Sequence, residues 1–339
     1  MKQLKIKFTP YRKELGTIYH RQTKGHSLES LDGHFRFYID EDIPDPDFWV
    51  VQGKGVRSPQ TCHVAPENTI FLATEPASVL IYPKDYLKQF GHVCTPQEKT
   101  HHPHLHLTPA ILPWFIGFTE DKNGNTSYTK DYDFFASAEP QKTKMLSVIC
   151  SDKAFTKGHI ERLRFVEKLK QHFGNDVDVF GRGFNDFADK WDVLAPYRYH
   201  IVIENSCQKY YWTEKVGDCY LASTFPFYYG CTNLSDYFPT DAFCPIDIKH
   251  LEEAFATIEE QMQKNIPGDV LMECRDKMLN EYNMFEFIAR FCSSLDASLP
   301  KHDVTINPCR SAGNLHNMWR YTVERKYYTM KNNLRCIKK

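Results

Sequence analysis

The sequence predicts an α/β protein of two domains, each organised around a parallel sheet. Its length of 339 residues exceeds one ordinary core and matches two domains of roughly 150 residues each. From residue 145 onward, short β-branched and aromatic runs alternate with amphipathic helical stretches, the order that parallel strands with crossover helices require. Between residues 121 and 144 the chain turns to Asp, Lys, Asn, Gly, Thr and Ser ahead of Pro140, which is linker composition. The expected division is therefore residues 1–140, residues 141–310 and a C-terminal helix over residues 311–339.

The opening residues alternate Leu4, Ile6 and Phe8 with lysines, which predicts a first strand over residues 5–8. Further strand candidates rich in β-branched or aromatic residues fall at 35–39, 48–52, 69–73 and 111–118, with a helix at 84–90. The second half is easier to read. A strand at 145–150 leads to a helix that Thr156 caps and Gly174 stops, with Ile160, Leu163, Val166, Leu169 and Phe173 on one face. Strands follow at 177–180, 199–203 and 224–229, and helices at 213–223 and 251–264, the last with acidic residues in its first turns.

Composition removes several function classes. The apolar share of 42% with 14% aromatics supports real cores, and a net charge of −1 gives no global field for nucleic acid. No window approaches the roughly 18 apolar residues of a membrane span, and the N-terminus lacks the apolar run of a signal peptide. Eleven cysteines, without a CxxC pair, suit a reducing cytoplasm, so the expectation is a cytoplasmic protein. In the tail, seven basic residues and one acid from 318 to 339 interleave with Trp319, Tyr321, Tyr327 and Tyr328. Two readings stand: a helix packed on the body through its aromatics, or peripheral contact with the inner face of a membrane.

Chemistry concentrates in residues 197–247. A buried strand, a polar loop, a helix opening on Thr213-Glu214-Lys215 and a second strand form a unit whose helix start attracts anions, a phosphate above all. Lys215 adds a cation to the helix dipole, and the planar fork of Arg162 suits bidentate phosphate recognition. Glu214, Asn205 and Tyr211 have the groups to hydrogen-bond the hydroxyls of a ligand, and Glu204 either joins them or braces the loop. Against each stands a plain alternative, a solvated Glu-Lys pair or core tyrosines. Histidines 101, 102, 104 and 106 leave metal ligation, substrate contact and ordinary loop positions all open.

The spacing of Glu204-Asn205-Ser206 before Tyr211, Thr213, Glu214 and Lys215 resembles the signature of the family 10 glycosyltransferases, the α-1,3/1,4-fucosyltransferases. Asp218, Phe225-Pro226, Tyr229-Gly230, Tyr237-Phe238-Pro239 and Phe243 continue the likeness downstream, and the Arg162 helix and the strand ending in DVFGR continue it upstream. Ser151-Asp152 departs from the family's Ser-Asn, and Phe225-Pro226-Phe227 is bulkier than usual, which bears on the sugar accepted. The resemblance is to a soluble, bacterial-type member. It implies two Rossmann-like domains facing a cleft (the GT-B type) and an inverting transferase moving L-fucose from GDP-fucose to a GlcNAc- or Glc-containing surface glycan such as lipopolysaccharide.

The resemblance further implies donor-binding residues Arg162, Glu204, Asn205, Tyr211, Glu214 and Lys215. No metal and no cofactor beyond the GDP-sugar is expected, since Arg162 and Lys215 supply positive charge for the leaving diphosphate. Glu75, in the run IFLATEP, is similar to the family's catalytic carboxylate. In a single displacement the base belongs on the wall opposite the nucleotide, and a strand end in the other domain meets that requirement. Alternatives are another GDP-deoxysugar donor, or a nucleotide-sugar- or glycan-binding protein without turnover.

Overall fold

The computed structural model describes residues 2–121, 123–150 and 157–309. The expected C-terminal helix, the Ser151-Asp152 departure and the Thr156 cap lie outside these described residues. The chain opens with β1 (Leu4–Thr9), β2 (Phe35–Ile39), β3 (Phe48–Gln52), β4 (Gln60–Val64) and β5 (Thr69–Leu72). The short α1 (Lys84–Leu87), β6 (His92–Thr95) and β7 (Leu105–Leu107) follow. Six of the strands form one parallel sheet in the order β2-β1-β3-β5-β6-β7. β3 reads FWVVQ because it is central and buried at every position, the pattern of a parallel strand covered on both faces.

The expected strand over 111–118 does not form; Phe118 only begins the hairpin of β8 (Phe118–Glu120) and β9 (Thr126–Tyr128). Pro113 lacks a donor, and Gly117 sits at φ +79° against the Phe135 ring, the Lys130 side chain and the Arg21 guanidinium, where a side chain would not fit. The segment instead threads between the domains, burying Trp114 and Ile116. Gly117 N–H donates to Asp189 Oδ1 at 2.8 Å, and Phe115 N–H to Asp218 Oδ1 at 3.2 Å. Next comes α2 (Tyr132–Ser137), capped by Asp131, whose carboxylate accepts from Phe134 N–H.

The second sheet is built from β10 (Lys144–Ile149), α3 (Lys157–Phe173), β11 (Val177–Phe180), α4 (Lys190–Leu194), β12 (Tyr197–Ile203), α5 (Glu214–Leu221), β13 (Phe225–Tyr229) and β14 (Cys244–Pro245). Its order is β11-β10-β12-β13-β14, again all parallel, so both domains are Rossmann-like and the architecture is GT-B. Pro226 is tolerated in β13 because β14 pairs only with Phe227 and Tyr228. Phe225 and Phe227 are core residues packed around Tyr199, which accounts for their bulk without a sugar.

Three helices close the chain, α6 (Leu251–Met262), α7 (Gly268–Asn280) and α8 (Met284–Ser293), before β15 (His302–Ile306). Here the packing departs from the expected division. The apolar stripe of α8 enters the first domain's core, Phe285 meeting Phe8 and Phe37 at ring distances of 5.9 and 4.7 Å, and β15 pairs antiparallel with β4. Residues 284–306 therefore belong by packing to the first domain, not to the stretch of 141–310 that the sequence assigns to the second. Among the described residues no helix is long and apolar enough to cross a membrane, and every cysteine is a free thiol.

Candidate functional site

The site grows from the end of β12 and the start of α5. Thr213 caps α5 from an extended conformation, its hydroxyl accepting from Lys215 N–H at 3.4 Å. Glu204, one residue past β12, is held by its own N–H donating to Tyr229 C=O at 2.8 Å. Its carboxylate accepts from Thr213 N–H at 2.9 Å, lies 2.9 Å from the Thr213 hydroxyl through both oxygens, and takes Lys215 Nζ at 3.1 Å. Glycine at 230 makes this possible: a Cβ there would come within 2.5 Å of Glu204 Cγ. Of the two roles open for Glu204, the geometry fills the brace, since its carboxylate is buried and committed to Thr213 and Lys215.

Glu214 stands 3.6 Å from Lys215, and one turn on, Asp218 pairs with Lys190 of α4 at 2.6 Å. Burial pushes the Glu204 and Asp218 carboxyls up, while Lys215 and Lys190 pull them the other way. For Glu214 burial also pushes up, but Lys215 and Lys190 win and hold it below the usual carboxylate range. Burial works against the Lys215 ammonium, yet Glu204 and Glu214 outweigh it and raise its pKa. The result is a ladder of coupled charges along one face of a helix start. Arg162 of α3 joins it, donating from Nη1 to Asn205 Oδ1 at 3.3 Å, and buried Tyr211 is hydrogen-bonded to Asn205.

The opposite wall carries Glu75, just past β5. Gln97 Nε2 fixes its carbonyl at 2.8 Å and reaches Leu80 C=O at the same distance. The carboxylate's field crosses the seam. At Tyr211 burial is the main cause of a strongly raised hydroxyl pKa, and Glu204, Glu75 and Glu214 add to it. At Tyr11, beyond the end of β1, burial again leads, with Glu214 and Glu75 contributing. All seven sequence candidates thus gather around one interdomain seam, six on one side and Glu75 on the other.

Residues 139–266 match the family model described as glycosyltransferase family 10 (fucosyltransferase) C-term, a range that contains the whole donor-side ladder. Over these residues the chain is similar to glycosyltransferase family 10. A curated relative, 4-galactosyl-N-acetylglucosaminide 3-alpha-L-fucosyltransferase 9 of Cricetulus griseus, is 21% identical over 176 residues, 47% of this chain and 48% of the relative, so the chain spans about half the length of the relative it matches. Among solved structures, an alpha1,3-fucosyltransferase with GDP aligns at TM-score 0.48 and 16% identity, covering 86% of this chain and 89% of that one. An alpha1,3-fucosyltransferase with GDP-fucose aligns at TM-score 0.44 and 16% identity, over 88% and 93%.

Glu75 falls outside the matched range, which leaves its case to position and chemistry alone. Sequence reasoning missed Lys190, because α4 is only five residues long, and Tyr11 and Gln97, which carry no motif. The clustered histidines do meet. His92 Nδ1 lies 3.1 Å from His106 Nε2, and His104 and His102 bond to the carbonyls of Gly91 and Phe90. Among the described residues no group of three or more His, Cys, Asp or Glu is arranged to hold a metal ion.

Proposed function

We propose that the protein is an inverting fucosyltransferase that moves L-fucose from GDP-fucose to a hydroxyl of a GlcNAc- or Glc-containing glycan. The observation that carries this reading is the ladder Arg162, Asn205, Glu204, Lys215 and Glu214 at the start of α5, inside the range that matches family 10. In the proposed reaction the α5 start, Lys215 and Arg162 receive the diphosphate and stabilise its charge as the glycosidic C–O bond breaks. Glu214 and Asn205 accept and donate to hydroxyls of the nucleotide sugar. Glu75, from the other wall, takes the proton of the attacking acceptor hydroxyl, so that displacement proceeds on the face opposite the nucleotide. The names of the relatives, which specify 3-alpha-L-fucosyl transfer and GDP-fucose, favour this donor over other GDP-deoxysugars.

The test is GDP release on a lactosamine-type acceptor. Glu75→Gln removes the base without changing shape and is expected to lower kcat by about 10²–10⁴-fold, the usual contribution of general base catalysis, with GDP affinity unchanged. Full activity in that variant refutes the assignment of the base. A panel of GDP-linked sugars decides the donor, and GDP binding without product under any acceptor refutes turnover.

A further inference from the structure

Near Glu75 lies an open pocket of about 440 Å³, lined by first-domain residues from Ala77 to His101 and, from the second domain, by Gln208. That lies within the roughly 300–1,000 Å³ of sites that take small-molecule ligands, and is far larger than a single ion needs. Ile81, Tyr82 and Leu87 give it an apolar floor, on which the C–H face of a sugar packs, and Ile81 is 60% exposed. Gln208 enters from the loop after Glu204-Asn205-Ser206, its Nε2 donating to Pro96 C=O at 3.3 Å. Gln97, which holds the Glu75 carbonyl, lines the same pocket. The pocket therefore adjoins the Glu75 wall through Gln97 and reaches the second domain through Gln208.

Its rim is charged. Lys84 and Lys99 line it, and among the described residues neither ammonium group has an ion-pair partner. On the same short helix, Lys88 pairs with Asp85 at 3.3 Å. The one carboxylate in the lining is Glu98, so two cations face one anion. An ammonium on a flexible stem is a point charge that suits a single carboxylate or sulfate.

We propose that this pocket receives an anionic substituent of the acceptor glycan, a carboxylate or sulfate on the sugar next to the reacting one, with Lys84 and Lys99 supplying the countercharge. The inference rests on the reading of the protein as a glycan-modifying transferase and adds the class of acceptor to it.

Matched acceptors test it: a neutral lactosamine-type oligosaccharide, the same with an adjacent hexuronate, and the same with an adjacent sulfate. The charged acceptors are expected to show KM values about tenfold below the neutral one, equivalent to ~1.4 kcal/mol, with the gap closing between about 50 mM and 500 mM salt as screening sets in. The double variant Lys84→Glu/Lys99→Glu removes the preference while leaving KM for GDP-fucose and kcat on the neutral acceptor unchanged, and Glu98→Gln enlarges it. The hexuronate and sulfate arms identify which anion is preferred. Equal KM for all three acceptors, or a preference that survives the double variant, overturns the proposal. Saturation-transfer NMR of the glycans without donor keeps the pocket testable if no transfer occurs: absent GDP binding refutes the transferase reading, whereas equal binding of charged and neutral glycans refutes the pocket assignment.

Discussion

Replacing Lys215 by Met separates the structural and ligand-facing roles of one ammonium group. With Nζ at 3.1 Å from a buried Glu204 oxygen, the pair's attraction is about 5 kcal/mol at an effective dielectric near 20. The net loss is smaller, because Lys215 keeps partial contact with water and Thr213 still offers Glu204 an N–H and an O–H. A cost of roughly 2 kcal/mol follows, which lowers Tm by about 4–8 °C. Lys215→Arg preserves the charge and is expected to restore most of that stability.

The pH dependence gives the sharper test. Burial raises the Glu204 carboxyl above its ordinary 4.5, and Lys215 opposes that rise. A carboxyl with a raised folded pKa stabilises fully below its unfolded pKa, and that contribution is lost as pH climbs through the folded value. Without Lys215 the folded value rises further, so the Tm deficit of Lys215→Met grows from about pH 5 to about pH 8. Thermal unfolding across that range, paired with GDP titration calorimetry, reads both roles. Loss of a charge-assisted bond to the diphosphate weakens GDP by roughly ten- to a hundredfold. A Tm within about 1 °C of the wild type at pH 8, on the scale of a few degrees per kcal/mol, refutes the ion pair; a GDP affinity within about threefold refutes the phosphate role.

Two further outcomes follow from groups outside the ladder. Glu286 on α8 accepts from Leu31 N–H at 3.0 Å, and burial pushes its carboxyl up to about 7. Its charged form is therefore disfavoured as pH rises from 4.5 through 7, and Glu286→Gln, which keeps the acceptor, should stabilise the protein by about 1 kcal/mol at pH 8 and by little at pH 5 in denaturant titrations. Burial and its histidine neighbours lower His92 to about 4, and His106 moves in the same direction. Stability is complete above about 6.5 and is lost as pH falls toward 4, so His92→Asn should flatten the acid limb of the Tm profile; an unchanged limb refutes the cluster as its source.

The second sheet was legible because β12, α5 and β13 each carry a strong period and sit in sequence order beside their partners. Strands β4, β6 and β7 were not read, for QTCHV, HVCT and LHL are short and mix polar and histidine residues, although β6 is buried between β5 and β7. The stripe of α8 announces burial but not its partner, and Phe8 and Phe37, which meet Phe285, lie at the far end of the chain. At the site, the motif identified Glu204 and Lys215 without their direction. Only the packing shows one turned inward on Thr213 and the other at the edge of solvent. Glu75 was visible through a few residues alone, because its surroundings come from Gln97 and from the far domain.

Counting the ladder by charge gives three cations, Arg162, Lys190 and Lys215, and three carboxylates, Glu204, Glu214 and Asp218. A neutral wall has no net charge with which to attract a diphosphate, so any attraction must come from arrangement. The exposures supply it. The side chains of Glu204, Asp218 and Glu214 are 0%, 1% and 11% exposed, whereas those of Lys190 and Lys215 are 19% and 27% exposed. The anions lie beneath the two lysines, while Arg162, 7% exposed, is buried with them, and the positive end of α5 stands beside the group. In the proposed reaction an incoming phosphate would meet ammonium groups already fixed by buried carboxylates, leaving little reorganisation for the moment at which charge develops on the leaving group. On the proposed function, the acidic residues of the signature hold its lysines ready for that charge.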